Sequence, residues 1–242
     1  MDWKKAITIL AVSFFLVNLF MAANLYMRDV INERISGFNT SLEVMNLLKE
    51  KGISVKGSLP SKGQDAWWLE VEPRENIMME GYSREVERGF WNMDAAEVRK
   101  IARNFVQEKV GMPSDARFFK QEFDRELKEY RVDFLQVYRD IPIYNSYIKV
   151  RIRADGRILV EKNWLKIEGF KGKKREVVLP VVALLKVAEL KGRDKPIFVT
   201  SIKEGYFSKP VNGEKWQIPP VWRVELDDGE VFYINAFTGE RE

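Results

Sequence analysis

The sequence predicts an α+β protein: one N-terminal transmembrane helix, then an extracytoplasmic domain of units that each join a helix to an antiparallel meander. Three observations predict this class. Residues 6–27 form an apolar run without a charged residue. Two later stretches each open on a helix with a clear start and stop and then become strand-like. Each of these stretches turns at an Asp-Gly pair, Asp155-Gly156 and Asp228-Gly229, the dipeptide that suits tight hairpins.

The apolar run comes first. At ~1.5 Å per residue it makes a helix of roughly 33 Å, matched to a hydrocarbon core of about 30 Å. Lys4 and Lys5 precede it and the neutral pair Arg28-Asp29 follows. The positive-inside rule therefore places residues 1–5 in the cytoplasm and the remainder outside, in a single-pass protein of the cell membrane. Trp3 and Tyr26 sit where interfacial aromatics belong. A cleaved signal peptide is the alternative, but signal cores usually run about 7–15 residues and end at a small-x-small site. Here Met21 and Phe20 occupy the positions two before Ala23 and Ala22, so the uncleaved anchor is preferred. Asn18 is the polar group deep in the span. An amide there either contacts another membrane helix or is simply tolerated. Asn18, with Phe14 and Phe15 beside it, is the candidate surface for a transmembrane partner.

Residues 28–93 are read as a juxtamembrane helix followed by a small α+β part. Ile31, Ile35, Phe38, Leu42 and Met45 step by four and three, over too few heptads to prefer a coiled coil to one amphipathic helix. Gly52 ends that helix and residues 53–55 start a short strand. Glu70 and Glu72 flank Val71 on a further strand.

The first helix-and-meander unit covers residues 94–170. Asp94 caps a helix carrying Ala95, Val98, Ile101, Phe105 and Val110, stopped by Gly111 and Pro113. Strands are expected at 118–123, 131–138, 144–153 and 158–166. In the third, Tyr144, Ser146, Ile148, Val150 and Ile152 are expected on one face and Asn145, Tyr147, Lys149, Arg151 and Arg153 on the other. The second unit covers 171–242. Its basic residues 171–175 read as a solvated linking loop. Pro180 starts a helix that Gly192 ends. Strands are expected at 197–206, 221–226 and 231–236, and Thr238-Gly239 closes the last turn.

Composition excludes several chemistries. The 242 residues carry a net charge of +4, too little to imply a nucleic-acid partner. There is no Cys and no His. Disulfides, thiol nucleophiles, Ser-His-Asp triads and imidazole or thiolate metal sites are therefore absent. Asp155, Asp227 and Asp228 sit in tight turns, where Asp bonds to local backbone. A carboxylate pair such as Glu70 and Glu72 occurs in glycosidases, but an exposed strand face explains it better. Trp67-Trp68 and Phe90-Trp91 suit sugar stacking or packing between subdomains equally. No phosphate loop or serine elbow is present. No catalysis and no cofactor are expected.

The C-terminal residues Gly205-Tyr206-Phe207-Ser208, Pro220-Val221-Trp222-Arg223-Val224 and Tyr233-Ile234-Asn235-Ala236-Phe237-Thr238-Gly239-Glu240 resemble the end of YycI proteins. The opening Met1-Asp2-Trp3-Lys4 and the segment Ile141-Pro142-Ile143-Tyr144-Asn145 are similar to the same family. YycI (WalI) proteins are membrane-anchored accessory proteins of the WalK–WalR (YycG–YycF) two-component system, which serves cell-wall homeostasis in low-GC Gram-positive bacteria. The resemblance is thin between residues 56 and 94. The last strand pair also looks like a PepSY module. The resemblance implies a non-catalytic external domain, pairing with a YycH-like protein, and contact with the sensor histidine kinase through the membrane helix. It gives Tyr206, Pro220, Trp222, Asn235 and Gly239 fold-maintaining roles. Asn145-Ser146-Tyr147 departs from the family pattern in lacking a small glycine. An anchored PepSY-type module that inhibits or binds a peptidase, or binds a wall polymer, is the alternative function.

Overall fold

A computed structural model describes residues 7, 10, 12–23, 41–57, 59–60, 65–192, 196–209 and 215–242. Residues 12–23 are helical, as are Ile7 and Leu10. Among the described residues no helix is long and apolar enough to cross a membrane. Part of the expected 6–27 span, and residues 28–40 of the expected juxtamembrane helix, lie outside the described residues.

The domain is mixed α+β. Four helices, α1 (Ser41–Glu50), α2 (Arg84–Gly89), α3 (Ala95–Lys109) and α4 (Pro180–Lys191), pack on a curled ten-stranded sheet. The strands are β1 (Ile53–Val55), β2 (Ala66–Tyr82), β3 (Ala116–Asp124), β4 (Glu129–Tyr138), β5 (Ile141–Arg153), β6 (Arg157–Arg175), β7 (Ile197–Tyr206), β8 (Trp216–Ile218), β9 (Pro220–Leu226) and β10 (Val231–Asn235). The order is β10-β9-β7-β5-β6-β2-β8, with β1 beside β7 and β4 then β3 beside β5.

Local chemistry explains the helix ends. Asp94 Oδ1 accepts from the Ala96 and Glu97 amides at 2.8 Å each, which satisfies two of the donors a helix start leaves orphaned. Pro180 stands in the first turn of α4, where its missing N–H costs nothing. The helices then bury their apolar stripes. Val98, Ala102 and Val106 of α3 join Val132, Phe134, Ile148, Val150 and Ile152 in the core of the first unit. Leu48 of α1 and Val181, Ala183, Leu184 and Val187 of α4 join Trp222, Val224, Phe232 and Ile234 in the core of the second. A smaller cluster at the junction holds Leu69, Val71, Ile143, Leu165, Tyr206 and Ile218.

Two sequence readings are corrected. Residues 171–175 are not a solvated loop. They are the end of β6, which pairs with β2 through Trp68↔Lys171 and Ala66↔Arg175. Their charges sit on a strand edge where Lys171 meets Glu70 at 3.2 Å. The alternation expected along β5 holds for Ile148, Val150 and Ile152 but fails at 144–146. Leu135 pairs with Tyr147 and the next residue, Gln136, pairs with Ile143, so three residues of β5 bulge out of register. Polar bonds hold the bulge. Ser146 Oγ donates to Gln136 Oε1 at 2.5 Å and accepts from the Leu165 amide. Asn145, expected on the outer face, is consequently buried.

Gly205 makes the join between the halves possible. A Cβ there would lie 2.3 Å from the Tyr144 ring and 2.8 Å from the Pro142 carbonyl oxygen. Only glycine lets β5 cross so close to β7, where a single parallel bridge, Ile143↔Tyr206, links them.

Candidate functional site

Two places are candidates, the N-terminal helical run and the cleft at the junction. Within the described part of the run every side chain is exposed, Phe14 at 71% and Phe15 at 66%. The Asn18 side-chain amide donates to the Phe14 carbonyl of its own helix at 2.8 Å. That bond holds the side chain beside Phe14 and leaves its acceptor oxygen without a hydrogen bond among the described residues. Asn18, Phe14 and Phe15 thus sit together over one turn and the next.

The five C-terminal residues that the sequence singled out lie together in and around the second core. Trp222 is 1% exposed, and its indole N–H donates to the Val178 carbonyl at 2.9 Å, tying β9 to the lead-in of α4. Tyr206 is also 1% exposed and donates to the Trp67 carbonyl at 3.0 Å, tying β7 to β2. Pro220 pairs with Tyr206 at the start of β9. Asn235 Oδ1 accepts from the Phe237 and Thr238 amides, while its amide group donates to Glu242 at 2.6 Å. Gly239 closes that turn at φ +76°, and a Cβ there would press Val182 at 3.3 Å.

The cleft occupies about 780 Å³ between the two units. Trp67 and Phe170, stacked at 5.0 Å with planes 10° apart, form one wall. Tyr206 and Trp222 form another. Arg139 lies over the Phe170 ring at 5.2 Å and Lys174 lies over Trp67 at 5.1 Å, so cations cap both ends of the aromatic stack. Arg139 and Asp140 take positive φ values of 50° and 65°, uncommon for residues with a side chain, in the tight β4–β5 turn. Glu204 lines the cleft, half-buried. It is cross-strand from Trp222, and its core-side neighbours along β7 are Ile202 and Tyr206. Burial raises its carboxyl above the usual range. It has no ion pair and no side-chain hydrogen bond among the described residues. Sequence reading missed this acid. The signal was available: an acid at an inward position of an otherwise apolar strand face.

The acids that the sequence singled out pair with cations or with turn backbone. Glu70 pairs with Lys171, and Glu72 lies 2.7 Å from Lys215 and 3.0 Å from Lys166. Hydrogen bonds from Lys215 and Lys166 lower the Glu72 carboxyl below its ordinary value. Leu69 and Val71, which alternate with them, are buried. Asp155 accepts from the Arg157 amide and side chain, the turn chemistry expected of it. No group of three or more potential metal ligands occurs among the described residues. Of the aromatic pairs, Trp68 packs on Phe237 and Phe90 is fully buried, whereas Trp91 is 65% exposed.

No curated protein matches the chain. Among solved structures it is similar to the crystal structure of an uncharacterized protein from Eubacterium rectale ATCC 33656, at 12% identity and a TM-score of 0.49. The likeness covers 84% of this chain and 99% of that one, and at that level it supports no argument. The family comparison is decisive: the YycI protein model matches residues 85–237. That stretch runs from Glu85 in α2 through β10 and includes the first unit, most of the second, and Tyr206, Pro220, Trp222 and Asn235, while Gly239 and the Trp67 wall of the cleft lie outside it. The chain belongs to the YycI family, a regulatory family associated with the WalK/YycG two-component system.

Proposed function

We propose that this chain is a non-catalytic regulator of a WalK/YycG-type sensor histidine kinase, anchored by residues 6–27 with residues 1–5 in the cytoplasm and the domain outside. It acts through packing of its membrane helix against the kinase and a YycH-like partner. One observation carries the reading. In a chain of this regulatory family, the described part of the N-terminal run is helical, apolar and wholly exposed. Such a surface is suited to lipid and to other helices. The mechanism is a coupling free energy: a helix that packs better on one signalling state of the kinase shifts the kinase toward that state. Asn18 contributes a polar contact, with its acceptor oxygen available to a donor on a neighbouring helix.

The test is co-isolation from membranes. The native chain should bring down the kinase and the YycH-like protein. Asn18→Leu should weaken that association by about 1 kcal/mol, roughly fivefold, at equal membrane levels. Recovery of a peptidase or wall glycan without the kinase would favour the binding-module reading.

A further inference from the structure

We propose that the junction cleft binds an extended peptide segment bearing a lysine or arginine, whose main chain pairs with the open edge of β7 and whose cation meets the Glu204 carboxylate. This does not rest on the membrane-helix mechanism. Its first support is the strand edge. On the side away from β9, β7 pairs with β1 only from Ile197 to Val199 and with β5 only at Tyr206. Among the described residues, 200–203 have no strand partner on that side, while at 204–205 Pro142 and Tyr144 of β5 close over the strand and Tyr144 donates to the Glu204 carbonyl at 3.2 Å. Ile202, Lys203 and Glu204 from this stretch line the cleft. A strand edge left open at the floor of a cleft is the arrangement that accepts an added strand.

The second support is the unmatched acid. On the β2–β6 ribbon Glu70, Glu72 and Glu75 have lysine partners. Glu204 has none, although Arg139, Lys174 and Lys203 line the same cleft. Arg139 and Lys174 lie on the rings of Phe170 and Trp67 instead. Lys203 alternates to the opposite face of β7, toward Arg223. An unpaired, half-buried carboxylate beside Trp222 and Tyr206 is costly in isolation and favourable once a cation reaches it. The aromatic walls suit the apolar stem of a Lys or Arg side chain. Edge, acid and aromatics together specify a basic peptide.

The test uses the full chain in detergent micelles with isotope-labelled tryptophan, read by the indole N–H signals. Trp67→Phe assigns the reporter on the cleft wall. Three blocked pentapeptides are titrated: acetyl-Val-Thr-Lys-Thr-Val-amide and its norleucine and glutamate counterparts. The lysine peptide should move the Trp67 signal, and the norleucine peptide should need about tenfold more for the same shift. The glutamate peptide should leave the signal in place. Glu204→Gln should reduce the lysine peptide to the norleucine level while the other indole signals stay put. Methylating the peptide amides should abolish the shift. No Trp67 response to the lysine peptide overturns the proposal, as does equal response to lysine and norleucine. An unchanged response in Glu204→Gln, or in the methylated peptide, overturns it as well.

Discussion

The two helix-and-meander units follow one plan and hold their helices by different chemistry. In the first unit a buried ionic tie is added to the apolar stripe of α3. Lys162, only 3% exposed, reaches from β6 to the Val110 and Gly111 carbonyls at the end of α3 and pairs with Glu75 of β2. Glu129, fully buried, is clasped by Arg131 and Arg153. In the second unit the buried tie is apolar and aromatic, and the ion pairs of α4, Lys186 with Glu240 and Lys191 with Asp228 and Glu230, lie nearer the surface. The Trp222 indole bonds the backbone ahead of α4, and Leu48 of α1 packs into the same core. The second unit thereby holds the helix nearest in sequence to the proposed anchor. Among the described residues, none before Val86 enters the buried core of the first unit. The second unit, and not the first, thus takes in the described helix that follows the N-terminal run in sequence.

The largest expected effect tests the aromatic tie. Trp222→Ala should cost about 3–5 kcal/mol, as truncation of a buried aromatic does, read from the denaturant midpoint. Hydrogen exchange should rise in α1, α4 and β9 more than in α3. Equal loosening of both units would erase the proposed distinction. Lys162→Met comes next, at about 2–3 kcal/mol, because it keeps the stem but strands two carbonyls and a carboxylate. Its exchange signature should centre on α3 and the β2–β6 ribbon. Asp94→Ala removes a cap at the start of the same helix and should cost about 1 kcal/mol.

The smallest effect has a sign opposite to the others. The Glu204 carboxyl is raised by burial, so the folded state binds its proton more tightly than the unfolded chain does. Its contribution is then fully present at low pH and lost as pH rises from the ordinary carboxylate range through the folded value. Glu204→Gln should therefore be no less stable than the native chain at neutral pH. The advantage should fade as the pH falls below that range. A variant less stable at neutral pH would reveal a partner for Glu204 and remove the unmatched charge from the cleft.

What the sequence made legible was local. Asp94, Pro180, Gly192 and the two Asp-Gly turns signal their structures within a few residues, and α3, α4, β7, β9, β10 and the start of β6 fall where those signals put them. Trp222 and Tyr206 were singled out through the family pattern rather than through any local signal. The long-range features escaped. β2 runs 17 residues, but Glu72-Pro73-Arg74-Glu75-Asn76 shows no apolar alternation because that stretch is a sheet edge facing water. The end of β6 is rich in lysine for a related reason, since its charges lie beside acids of β2. The bulge at 144–146 depends on Gln136 and Leu165, distant in sequence. The cleft is assembled from β2, the β4–β5 turn, β6, β7 and β9, so no window of sequence could display it.

The central claim is that regulation runs through the membrane helix. The direct measurement is a kinase-dependent transcriptional reporter in cells carrying the native chain or a chain whose residues 6–27 are replaced by an unrelated anchor of equal length, at matched membrane levels. Tethering and the external domain are preserved, while the packing surface of Phe14, Phe15 and Asn18 is lost. The account expects the replaced anchor to regulate clearly less than the native one, and less than Asn18→Leu. Regulation equal to native by the replaced anchor would contradict it and move the coupling to the external domain.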